Sequence, residues 1–180
     1  MFFTGSNYLK KFNTMNFQLR PWSDNDLESL VKYANNWNIA RFMTDGFPFP
    51  YTEENGKAFI AMATAAKPTN VFAIDVNGET IGGIGIHPQT DIYRNNAELG
   101  YWLAEPFWGN KIMTKAITEM VTYAFETFEI DRVFAKPFGS NTASQRVLEK
   151  AGFTLEGRFE KTIIKNGELE DELVFAIRKQ

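Results

Sequence analysis

The sequence predicts a mixed α/β domain whose sheet combines parallel and antiparallel neighbours. Two Asn-Gly pairs, Asn77-Gly78 and Asn166-Gly167, each sit between apolar runs, the strongest short-range signal of a β-hairpin. Segment 109–128 carries two parallel rows of apolar residues at i+4 spacing, Ile112, Ala116, Met120, Ala124, Phe128 and Met113, Ile117, Val121, Phe125. That is the pattern of a long helix buried along one side. The order of elements, β-α-α-β-β-β-α-β-α-β-β, brings helices between some strands and hairpins between others.

Segment 17–20 reads as a short strand ended by Pro21, and Met15 stands just before it. Residues 1–15 are therefore expected to be an N-terminal extension, disordered or a mis-assigned start, and 16–180 the domain. Ser23 precedes Asp26 by three residues, a weak capping box, and Leu27, Leu30, Val31 and Ala34 follow at helical spacing, so 24–36 reads as a helix. A Phe/Pro-rich loop, 46–50, leads to a second helix capped by Thr52, with Ala58, Phe59, Met62 and Ala66 as its expected apolar face. Segments 71–76 and 79–86 form the first hairpin, and 97–104 a central strand, apolar on both faces. A strand at 131–136, a helix at 142–151 closed by Gly152, and strands at 153–164 and 168–177 complete the chain. No repeat, linker or low-complexity segment interrupts it.

Composition narrows the chemistry. At 180 residues, with 44% apolar and 15% aromatic content and 17 Phe, the chain fills one folded core. Lys and Arg number 19 against 22 Asp and Glu, a net charge of −3, which supplies no broad phosphate-neutralising surface for nucleic acid. The absence of cysteine excludes disulfides, thiolate metal sites and a Cys nucleophile, and a single His excludes a His-rich metal site. No apolar run approaches a membrane span and no signal peptide is legible, so a cytoplasmic protein is expected.

The junction of residues 97–112 runs from a buried strand through a tight turn into the long helix. A helix N-terminus reached through glycine is an anion site in waiting, because its first backbone N–H groups are unpaired and the dipole points outward. Lys111 and Lys115 add positive charge there. On spacing alone, an ordinary strand–helix junction is the better explanation.

Residue identities then add a resemblance. The chain resembles the GCN5-related N-acetyltransferases, and within them the group like the ribosomal-protein N-terminal acetyltransferases. The family pattern E-(I/L)-G-Y-W-L … (Y/F)-W-G-x-G-x-A-T-x-A is similar to Glu98 through Leu103, then Phe107-Trp108-Gly109, Thr114 and Ala116. The pattern N-x-x-S-x-(R/K)-V-L-E-K-x-G-F-x-x-E-G matches Asn141, Ser144, Arg146 through Lys150, Gly152-Phe153 and Glu156-Gly157. Leu19-Arg20-Pro21 before an acidic helix also looks like that group, so the resemblance covers 16–180.

The resemblance implies a single domain with a splayed strand pair flanked by helices, transferring acetyl from acetyl-CoA to a primary amine without a metal. The amine would be a protein N-terminal α-amine or a small molecule, and the chain a monomer or homodimer. It implies CoA phosphates on Gly109, Asn110, Lys111, Ile112, Met113 and Thr114, and pantetheine paired along Tyr101, Trp102 and Leu103, with Asn141, Arg146 and Lys150 also on the cofactor. Asn141 would act near the thioester, and the Ser144 hydroxyl would protonate the leaving thiolate. Glu98 is the candidate general base, its alternative being a solvated or ion-paired carboxylate, and Glu156 is the runner-up. Asn141 and Ser144 read otherwise as ordinary cap and first-turn residues. His87, ending a strand before Pro88, reads as a capping or surface residue, and Phe47, Phe49 and Tyr51 either border the acceptor site or pack in the core.

The chain departs from the pattern at two places, with Lys111 where glycine is expected and Met113 where a small residue is. If glycine serves a close approach of backbone to phosphate, Lys111 crowds it. If the position has ordinary helical dihedrals, Lys fits and its ammonium assists the phosphates. The alternative function is a non-catalytic relative that binds CoA or a protein through a decayed site.

Overall fold

The computed structural model describes residues 16–180, and the expected extension, 1–15, lies outside the described residues. Seven strands form one sheet: β1 (Gln18–Pro21), β2 (Val71–Val76), β3 (Glu79–Pro88), β4 (Asn96–Leu103), β5 (Arg132–Ala135), β6 (Thr154–Lys165) and β7 (Glu168–Arg178). Five helices accompany them: α1 (Leu27–Ala34), α2 (Trp37–Ala40), α3 (Glu53–Ala65), α4 (Ile112–Thr127) and α5 (Thr142–Lys150). The strand order is β1-β2-β3-β4-β5-β7-β6, with β4 and β5 parallel and every other pair antiparallel.

Both Asn-Gly pairs make the expected turns. Asn77 and Gly78 have φ of 55° and 87°, and Asn166 and Gly167 have 54° and 81°, the two successive positive values that a two-residue hairpin turn needs. The α4 and α5 face of the sheet holds the main core, in which Ile84, Ile86, Leu99 and Val133 meet Ile112, Ile117, Met120 and Leu148. On the opposite face, α1 and α3 cover the β1–β4 half with a second cluster that includes Trp22, Leu30, Ile60, Ala73 and Trp102. The bare backbone of Gly83 admits two indoles there, since a Cβ at that position would lie 2.9 Å from Trp102 Nε1 and 3.1 Å from Trp22 Cζ2.

The first helix is shorter and more divided than its spacing suggests. Asp24–Asp26 forms a single 3-10 turn, α1 ends at Ala34, and a separate four-residue α2 follows, capped by Asn36 through Asn38 N at 2.8 Å. The apolar row of α3 is Gly56, Ile60 and Ala63, while Ala58 faces water and Met62 is half exposed. Gly56 accounts for the rotation, because a Cβ there would stand 2.6 Å from Leu27 Cδ1 and 3.2 Å from Val31 Cγ2, so glycine lets α3 press this face onto α1 without displacing them. Helix α4 begins at Ile112 rather than 109, because Gly109 at φ 78° and Lys111 at φ 62° are both left-handed. Strand β4 is apolar along the whole of one face, whereas on the other only Trp102 is buried and Glu98 and Gly100 are accessible.

Candidate active site

The site grows from a parting of two strands. β4 and β5 pair only at Asn96–Arg132, Ala97–Val133 and Glu98–Phe134. Beyond Glu98, β4 runs on to Leu103 with β3 as its ladder partner, from Leu99–Ile86 to Leu103–Gly82. β5 meanwhile stays with β7 through Ala135–Phe175. A slot therefore opens along the free edge of residues 99–103. Strand alternation sends Leu99, Tyr101 and Leu103 to the α4–α5 face, and Glu98, Gly100 and Trp102 to the other.

On the α5 face, Tyr101 Oη and Ser144 Oγ lie 2.7 Å apart, joining the strand to the first turn of α5 across the slot. Burial pushes the Tyr101 phenol up to about 12, only partly opposed by its bond to Ser144, so it stays protonated at neutral pH. Asn141 caps α5 by accepting the Ser144 N–H at 3.1 Å, which leaves its amide Nδ2 as the end suited to donate to a carbonyl. Gln145 anchors the preceding loop by donating to the carbonyls of Phe138 and Gly139 at 3.2 and 2.9 Å. Arg146 and Lys150 are exposed, and helical spacing turns Arg146 away from Ser144, so these two are not brought to the hydroxyl pair.

The opposite face presents charge. Glu98 is about one-third exposed and ion-paired with Lys136, Nζ to Oε1 3.4 Å, and the same ammonium lies 3.8 Å from Glu172 Oε1. His87 is the cross-strand neighbour of Glu98. Desolvation of its ring, above the bare backbone of Gly85 and Gly100, holds its pKa below the ordinary histidine value, with Glu98 pulling it partly back. Spacing placed His87 at a strand end and gave no hint of this neighbour, because the pairing is set by the sheet register.

Glu156 is elsewhere. Arg132 grips it at 2.6 Å and Arg178 at 2.9 Å, and these bonds hold its carboxyl below the usual range. Arg132 pairs with Asn96, at the closed end of the β4–β5 pair, so the runner-up base is a structural anion remote from the slot.

The turn into α4 lies at the far end of β4. Trp108 Nε1 donates to Leu103 O at 2.7 Å, and Asn110 Nδ2 donates to Phe107 O and Trp108 O, so these side chains build the turn. Lys111 does not have the ordinary helical dihedrals of the second alternative: at φ 62° and ψ 8° it occupies the left-handed region that glycine favours. Met113 and Ile112 turn their side chains into the core, so both offer only backbone N–H groups to a ligand and the larger side chain at 113 does not obstruct the turn. Trp102 and Leu103 are likewise buried, leaving their backbone edge for the slot.

Aromatic residues of the 46–51 loop divide. Tyr51 is core and Phe47 packs on it and on Trp102, at ring separations of 5.2 and 6.1 Å, whereas Phe49 is half exposed against Trp37. An ion pair of 2.7 Å from Lys165 to Asp45 ties the β6–β7 turn to this loop. Among the described residues no group of three His, Asp or Glu side chains could hold a metal ion, and no helix is long and apolar enough to cross a membrane.

The parted strands, the helix N-terminus beyond them and the hydroxyl pair beneath define an acyl-transfer fold. Residues 16–154 match the acetyltransferase (GNAT) domain model, and the chain belongs to that family. YoaA of Bacillus subtilis, an N-acetyltransferase named as uncharacterised, is 36% identical over 89% of this chain and 92% of its own length. YdaF of the same species, provisionally named a ribosomal N-acetyltransferase, is 35% identical over 58% of this chain, which spans only 56% of YdaF. Among solved structures, Mycobacterium smegmatis RimJ in complex with CoA-disulfide superposes with a TM-score of 0.78 at 25% identity, covering 90% of this chain and 81% of that one. Membership gives the reaction class, acetyl-CoA-dependent N-acetyl transfer.

Proposed function

We propose that the chain acetylates the α-amine of a protein or peptide N-terminus by direct attack in a ternary complex. The observation that carries this is the two-sided slot, with a hydroxyl pair on one face and Glu98 on the other. The backbone edge of Tyr101, Trp102 and Leu103 would pair with pantetheine. The N–H groups of Ile112, Met113 and Thr114, at the head of the 16-residue α4, would receive the phosphates beside Gly109, Asn110 and Lys111. An α-amino group has a pKa of roughly 7.7–8.0, so Glu98 need accept its proton only modestly, directly or through water. The Ser144–Tyr101 pair would protonate the thiolate, and Asn141 Nδ2 would hold the thioester region. With no cysteine in the chain, an acyl-cysteine relay is excluded. The ribosomal N-acetyltransferase name of the relative YdaF favours a protein amine over a small amine.

The experiment is release of free thiol from acetyl-CoA in the presence of separate pools: peptides starting with Ser, Ala or Met, and small amines. Peptide-dependent release, lowered at least about tenfold in kcat by Glu98→Gln with little change in KM for acetyl-CoA, is the expected result. CoA binding without release from any pool would select the non-catalytic relative.

A further inference from the structure

The chain already carries a primary amine where the proposed acceptor must arrive. Lys136 directly follows β5 on the side where the slot opens, and its ammonium reaches back to Glu98 Oε1 at 3.4 Å and toward Glu172 Oε1 at 3.8 Å. The Phe134 ring centroid is 5.9 Å from the same Nζ. Two carboxylates and an aromatic face are the surroundings a primary ammonium prefers. Lys136 and Glu98 are each about one-third exposed, so the pair is reached by solvent rather than locked in the core, and Glu98 is the last β4 residue paired with β5 before the strands part.

We propose that Lys136 is an internal acetyl acceptor, modified on Nζ by the chain's own acetyl-CoA. This rests on the slot and on Glu98 acting as read above. The Nζ ammonium passes one proton to Glu98, which hands it to solvent; the freed lone pair forms the C–N bond to the thioester carbonyl carbon, and the C–S bond breaks as the nitrogen gives Glu98 a second proton. Sulfur takes a proton from the Ser144–Tyr101 pair, which recovers one from solvent, and Glu98 releases its proton to solvent. The products are an Nε-acetyl-lysine and free CoA. Holding the amine beside its base on the same chain supplies a high effective concentration, so one turnover needs no external acceptor. The resulting neutral amide no longer pairs with Glu98 and Glu172, and both carboxylates become available to an incoming ammonium.

The test incubates the full chain with acetyl-CoA alone and follows acetyl uptake by intact mass and peptide mapping, counting any acetyl already present. Lys57 is the internal reference, being a lysine paired with a carboxylate (Glu53, 3.7 Å) on α3. Expected is one acetyl group on Lys136, gained at least about tenfold faster than on Lys57. It should be lost in Lys136→Arg and slowed in Glu98→Gln, while Lys57 is unaffected. Equal rates at the two lysines, or no acetyl on Lys136, overturns the proposal. Thiol release with the amine pools, measured on the same preparation, separates the two readings. Release without Lys136 modification removes this inference alone, and absence of both removes the proposed function with it.

Discussion

Ser144 and Tyr101, hydroxyl to hydroxyl at 2.7 Å, form one proton-carrying unit rather than two independent acids. Ser144→Ala and Tyr101→Phe should each lower kcat by about tenfold or more with little effect on acetyl-CoA affinity, and the double variant should cost far less than the product of the two. Steady-state kinetics of the four proteins checks this, and multiplicative losses would assign the hydroxyls separate roles. Lys111 makes a second residue-scale case, because its left-handed backbone carries a Cβ. Lys111→Gly should stabilise the fold by roughly 1 kcal/mol, about 2–4 °C in a thermal melt, whereas Lys111→Ala keeps the Cβ and gains nothing. The family pattern marks 111 as a glycine position, but the lysine hides why. Side-chain identity alone did not choose between a crowded phosphate loop and a helical turn, and the dihedral excludes the second.

Among the elements, β1 to β3 are joined by a buried charge cluster. Arg20 donates to Asp26 at 2.6 and 2.8 Å, to Asp75 at 2.9 Å and to Thr80 Oγ1 at 2.8 Å. Burial alone would raise the Asp26 carboxyl, but the bonds from Arg20 and Thr80 outweigh it and hold the pKa at about 2, below its ordinary value of 3.8. A carboxyl depressed on folding adds stability in full above about pH 4 that is lost as pH falls toward 2, here on the order of 2–3 kcal/mol. Urea unfolding should find Asp26→Asn weaker than the parent by about 2–3 kcal/mol at pH 7, because the guanidinium of Arg20 loses one of its two carboxylates and keeps only Asp75, with the gap narrowing between pH 4 and pH 2. The Ser23–Asp26 spacing was readable as a cap, and the Ser23 N–H does donate to Asp26 at 2.8 Å. Its larger partnership was not, since Thr80 lies 54 positions away from Asp26. The same distinction separates the hairpins and α4, written in local spacing, from the α3 face, which Gly56 and Leu27 decide across two helices.

At the scale of the whole molecule, the splayed strand pair came from the resemblance and the strand order only from the structure, because hydropathy patterns show which residues are strands and not which strands pair or separate. The catalytic candidates Glu98, Asn141 and Ser144 were legible through their motifs. Lys136 and Glu172 were not, for they lie outside both motifs and meet Glu98 only when the sheet assembles. The parting has a thermodynamic consequence as well. Along 99–103, the amides that point away from β3 have no strand to receive them and are expected to exchange with solvent as an open edge does. A pantetheine arm laid along that edge would complete the ladder, so ligand binding and local order become linked quantities. Hydrogen–deuterium exchange should slow at 99–103 and at 112–114 when CoA is added, with the β6–β7 hairpin unchanged. The melting temperature should then rise with the logarithm of CoA concentration once the site is saturated. A chain built this way stores part of its rigidity in its co-substrate, and stiffens or softens with the cell's supply of it.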